Sequence, residues 1–124
     1  MVEFPLADLI DKTAILKLKV ERIGEPHLKK AYNFYIKALK KYSHQKEIKQ
    51  AFKELYEING RIWDNEHEIR KGTVCDLPLV EVGRRCLLIR DLNKIRLAIK
   101  DRIVVETKSG FKDVSMNVYN TKGL

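Results

Sequence analysis

Cysteine is scarce, with two in 124 residues, Cys75 and Cys86. Ten residues separate them, a spacing that fits neither a zinc knuckle nor a C-x-x-C redox pair, so free thiols of a cytoplasmic protein are expected. The three histidines, His27, His44 and His67, show no i,i+4 pairing, which removes the usual helical metal-ligand spacing. No glycine-rich phosphate loop, dinucleotide fingerprint or G-x-S-x-G elbow occurs. No apolar run approaches the roughly 18 residues a membrane span needs. The opening Met1-Val2-Glu3-Phe4-Pro5 has no basic region ahead of an apolar one, so no signal peptide is expected. These absences point to a cytoplasmic protein with no membrane, metal or cofactor.

What the chain does have is helix-forming material. It is 44% hydrophobic and 34% charged, enough apolar content for a core and too much for wholesale disorder. Its length fits one domain, 1–124, and a domain this small gains from oligomerisation. Lys plus Arg is 25 against 17 Asp plus Glu, a net charge of +8.

The hydrophobic spacing predicts an all-α fold: an antiparallel hairpin or bundle of three to four helices, with a short strand at the end. Leu6, Leu9, Thr13, Leu16, Val20 and Ile23 recur at steps of three and four, giving a helix over 6–23 that Gly24 stops. Asp8–Lys12 and Lys17–Glu21 are spaced as i,i+4 pairs on its wet side. Leu28, Ala31, Tyr35, Ala38 and Tyr42 repeat the steps over 27–42. Ser43 either caps a third helix or lets the second run on. Ile48, Ala51, Leu55, Ile58, Ile62, Asn65 and Ile69 form a seam over 46–71, with Gly60 and Asn65 as signs of close packing or a specified register. A fourth helix over 78–106 has Leu88, Leu92, Ile95, Ile99 and Ile103 as its buried side. The period then becomes two, with Val114, Met116 and Val118 marking a strand over 113–119. Val2-Glu3-Phe4, or the same tail of another subunit, would pair with it.

Two charge patterns bear on function. Between Pro26 and Glu47 stand six lysines and no acid. Lys30, Phe34, Lys37 and Lys41 share one face, which suits either phosphate gripping with base stacking or a solvated lysine face with Phe34 tucked against a neighbour. On the third helix Asn59, Trp63, Glu66 and Arg70 line one face, with Asp64 beside them. On the fourth, Asn93, Arg96 and Lys100 do the same. If these faces meet, they make a carboxylate–guanidinium network, either an anion pocket or an interhelical lattice that fixes register. As a pocket it would be similar in outline to the arginine-lined sites of helical chorismate mutases, an analogy of fold alone.

The stretch Ile58-Asn59-Gly60-Arg61-Ile62-Trp63-Asp64-Asn65-Glu66-His67-Glu68-Ile69-Arg70 resembles the N-x-x-[LI]-W-D-x-E-x-x-I-R signature of an uncharacterised family of short bacterial and phage proteins, a domain of unknown function. Leu9-Ile10-Asp11-Lys12 is similar to that family's opening helix, and Asn93, Arg96, Ile99, Lys100 and Ile103 to its later N-x-x-R-x-x-I-K-x-x-I pattern. Residues 25–47 and 72–90 fit less well. The resemblance implies an all-helical fold. It marks Asp11, Lys12, Asn59, Trp63, Asp64, Arg70, Asn93, Arg96 and Lys100 as motif positions, and it lends no catalytic residue.

Long seams and an unpaired strand offer more adhesive surface than one small monomer needs. The expectation is therefore a non-enzymatic helical interaction or structural protein that forms a homodimer, phage-related by its family likeness. Alternatives are a nucleic-acid or anionic-ligand binder working through the second helix, and a small helical enzyme acting on an anionic metabolite.

Overall fold

The computed structural model describes residues 5–42, 46–75 and 78–107. Helix α1 spans Leu6–Arg22, α2 Pro26–Leu39, α3 Lys46–Cys75 and α4 Leu79–Thr107, with a 3₁₀ turn over Lys40–Tyr42. Every element among the described residues is helical, as the periodicity requires. The strand expected over 113–119, and its expected partner Val2–Phe4, lie outside the described residues.

Three starts and one stop follow from local chemistry. Pro5, Glu25-Pro26 and Pro78 stand where α1, α2 and α4 begin, positions at which the missing proline N–H costs nothing. Gly24 ends α1 at φ 78°, and its N–H donates to the Lys19 carbonyl at 3.2 Å. That left-handed turn reverses the chain into α2 and makes the first hairpin. In the second hairpin α4 runs antiparallel to α3: Arg102 reaches Glu54 near one end, and Arg85 donates to Asn65 at 3.0 Å towards the other. Asn65 thus ties the register of α3 to α4, as its seam position suggested. The expected α4 seam is corrected at one place. Leu92, Ile99 and Ile103 are buried, whereas Ile95 is half exposed, because the buried face of α4 turns towards Arg96 and Lys100 instead.

Helix α1 packs against all three others and is the central rod. Ala7, Ile10, Ala14 and Leu18 are fully buried along with its predicted seam residues Leu9 and Leu16, so apolar contact surrounds it. Around it gather Ile48, Ala51, Leu55 and Ile58 of α3 and Leu92, Ile99, Ile103 and Val104 of α4. Each large aliphatic buried in this way contributes about 1.5–3 kcal/mol relative to exposure. Helix α2 is peripheral, burying only Leu39 fully.

The two glycines differ. At Gly24 a side chain would have to adopt the left-handed region, so Gly24→Ala should destabilise by about 1–2 kcal/mol. At Gly60 an added Cβ would sit 3.5 Å from Arg22 and 3.6 Å from Leu18, which is ordinary contact. Close packing therefore does not demand glycine there, and Gly60→Ala should stabilise by about 0.5–1 kcal/mol. Thermal melts of the two variants should move in opposite directions, and a destabilised Gly60→Ala would refute the packing argument.

Candidate functional site

The buried polar centre lies where α3 and α4 meet α1. Asp11 is 4% exposed. Its carboxylate accepts the Asn59 amide at 2.8 Å and the Arg96 guanidinium at 2.6 Å through Nη2 and 3.1 Å through Nε. One turn earlier, buried Asp8 meets Lys100 Nζ at 2.5 Å, and Lys100 lies 3.9 Å from Asp11. The cluster is neutral, two carboxylates against two cations, as burial demands. Asp8 also lies in the first turn of α1, where the positive end of the helix favours an anion. Its hydrogen bonds to the Asp11 carboxylate hold the Arg96 guanidinium above its ordinary pKa, against the opposing effect of burial. One atom is left over: Asp8 Oδ2 is buried with no hydrogen-bond partner.

Two shallow clefts flank Arg96. One, about 210 Å³, is lined by Asn59, Trp63, Glu66, Asn93 and Arg96 with apolar residues between them. The polar faces of α3 and α4 therefore do meet. The other, about 250 Å³, takes in Asp8, Asp11, Lys12, Lys19, Arg96 and Lys100. A third, about 200 Å³, is apolar and lies between α2 and α3, lined by Ile36, Leu39, Ile48 and Phe52. Each is smaller than the roughly 300–1,000 Å³ of ordinary small-molecule sites.

The network differs from its expected form in the source of its acids. Asp64 does not join it. It pairs with Arg22 at 2.5 Å on the surface, and that same Arg22 lies 5.6 Å over the Trp63 ring. Arg70 is exposed on α3, outside all three clefts. The carboxylates that hold Arg96 and Lys100 come from α1. Asp8 was expected on the wet side of that helix and is instead buried, because a rod covered by three neighbours has almost no wet side. Glu21 accepts the Tyr56 hydroxyl at 2.5 Å, and Lys17 lies 4.5 Å over the Tyr56 ring, so that pair too is drawn towards α3. The sequence carried one cue to Asp11, its place in the family-like opening helix, and none to Asp8.

The α2 residues stand apart from this centre. Lys30, Phe34, Lys37 and Lys41 are all exposed, and Phe34 is 70% accessible rather than tucked against a neighbouring helix. Among the described residues, no group of three His, Cys, Asp or Glu side chains is placed to hold a metal, and no helix is long and apolar enough to cross a membrane.

The Tyr56–Glu21 bond gives a pH prediction. Donation to the carboxylate, with burial, raises the Tyr56 pKa. A group raised on folding contributes stability that is complete below its unfolded value, near 10, and lost as pH climbs through the folded one. The wild-type melting temperature should therefore fall more steeply above pH 10 than that of Tyr56→Phe. Parallel curves would show that the bond does not persist in solution.

Among the described residues the chain is an all-helical bundle, with two carboxylates and two cations paired where α1, α3 and α4 meet. No family model, curated protein or solved structure matches it.

Proposed function

We propose that this is a non-catalytic helical interaction protein that acts as a homodimer in the cytoplasm. One observation carries the reading: α4 carries large apolar residues on its outer side as well as its inner one. Its inner face fills the core, yet Leu79, Val80, Leu87, Ile95, Leu97 and Val105 remain exposed on one helix. Surface leucines scattered singly need no explanation, but a set distributed along a 29-residue helix suits a partner. The ionic centre supports the same reading. Its cations are matched by acids from the same chain, so Arg96 and Lys100 serve to set how α1 lies on the α3–α4 hairpin. Membership of the helical bacterial and phage family belongs to this proposal, with Asn59, Trp63, Asn93 and Arg96 acting as packing positions around that centre. Light scattering should report twice the chain mass at micromolar concentration. A single-chain mass throughout the concentration range would refute the reading.

The exposure of Phe34 favours a second reading, an anionic or nucleic-acid surface at α2. Lys30, Lys37 and Lys41 flank an uncovered ring, the arrangement that tracks a phosphate backbone and stacks a base. Labelled single-stranded DNA or RNA should then bind with an affinity that falls steeply with salt, and reversal of the three lysines to glutamate should abolish it. No shift at low salt would refute it.

A further inference from the structure

Building on the self-association reading, we propose that two copies of the chain pair through the outer face of α4 in antiparallel register. Val80 then lies against the partner's Val105, Arg84 against the partner's Asp101, Leu87 against the partner's Ala98, and Asp91 against the partner's Lys94.

The face is defined by spacing. Val80, Arg84, Leu87, Asp91, Lys94, Ala98, Asp101 and Val105 follow one another at alternating steps of four and three, the repeat that keeps one stripe of a helix facing a partner helix. All eight are exposed, so the stripe is free along its whole length of about 38 Å. Ile95 and Leu97, each about half exposed, widen its apolar surface on either side.

Charge then selects the occupant, its direction and its register. Two copies aligned in parallel set each residue against its own copy, which places Arg84, Asp91, Lys94 and Asp101 all against like charges. The antiparallel alignment turns each of these four layers into an opposite-charge pair. By the twofold symmetry every such pair occurs twice. A slip of one heptad fails in either direction. One slip brings Arg84 against the partner's Lys94, and the other brings Asp91 against the partner's Asp101. The stripe is thus complementary to itself in one register and repulsive in its neighbours, the use of polar seam residues that specifies an arrangement at some expense in affinity. Within the chain Arg84 is already engaged by Glu81 at 2.5 Å, whereas Asp91 has only a 3.4 Å contact with adjacent Arg90. The central Asp91–Lys94 layers therefore carry most of the discrimination.

The test is a charge swap read by sedimentation over a concentration series, with circular dichroism as the check on folding. Asp91→Lys sets lysine against the partner's Lys94, and Lys94→Asp sets aspartate against the partner's Asp91. Each alone should raise the dimer dissociation constant at least about tenfold. The double variant Asp91→Lys/Lys94→Asp should restore it. A wild-type monomer at every concentration would overturn self-association and this interface together. A wild-type dimer indifferent to both single reversals, or one that the double swap fails to restore, would overturn the α4 register and leave self-association standing. All the altered side chains are exposed, so the helical signal should not change.

Discussion

Asp11→Ala should destabilise the fold by about 3–5 kcal/mol, lowering the melting temperature by roughly 10 °C or more. The substitution removes little apolar contact. Its cost comes from what it strands. Arg96 loses its carboxylate, Asn59 keeps only its bond to the Leu55 carbonyl at 2.9 Å, and Lys100 is left with Asp8 alone. Arg96 keeps 27% of its side chain in contact with water, which places the expected loss towards the lower end of that range. The companion variant Asp11→Leu/Arg96→Met distinguishes the value of the pair from the penalty of breaking it. Two apolar side chains of similar volume leave no charge behind, so the double variant should recover most of what Asp11→Ala loses. Denaturant melts of the two variants decide the matter. A loss below 1 kcal/mol for Asp11→Ala would show that water reaches the cluster and that the ionic centre orders nothing.

The same cluster marks where the sequence was legible. Periodicity located all four helices to within a few residues, because steps of three and four report which side of a rod is apolar; proline marked three starts and Gly24 one stop, while α3 runs through Gly72 to Cys75, past its expected end at 71. It placed Leu55, Ile58, Leu92 and Ile103 in the core. It also brought Asn59, Trp63, Asn93 and Arg96 to a common cleft. It failed at Asp8, which is buried, whereas Glu21 is exposed as expected but bonds Tyr56 of α3. The i,i+4 rule pairs charges on a helix with one buried side, and α1 has neighbours on three. Nothing in local spacing distinguishes an aspartate facing water from one facing a lysine 92 residues away, since the difference lies in how the hairpins dock. The α4 seam missed at Ile95 for a related reason. Apolar residues surround that helix, so spacing alone admits more than one inner face, and the position of Arg96 and Lys100 over the acids of α1 selects among them.

The apolar residues on the outer side of α4 lead to the second large effect, which appears in a comparison. Leu55→Asp should leave no folded protein at room temperature. Leu55 is fully buried on α3 among core residues from α1 and α4, and the nearby cations Arg96 and Lys100 are already matched by Asp11 and Asp8. An unpaired charge buried there costs several kcal/mol beyond the lost leucine contacts, which together approach the roughly 5–15 kcal/mol that holds a whole domain together. Leu87→Asp makes the same chemical change on α4, where the side chain is about half exposed, so the carboxylate remains hydrated. That variant should retain its full helical signal and its melting temperature under conditions dilute enough to dissociate the wild type. At high concentration it should fail to associate. Far-ultraviolet circular dichroism and light scattering on the pair separate the two roles of the helices. Loss of fold in Leu87→Asp would mean that the outer side of α4 is part of the core of a single chain. Retention of fold in Leu55→Asp would mean that the central rod is not packed as described. The inner side holds the chain together, and the apolar residues exposed on the outer side are those that the proposed pairing of two copies would cover.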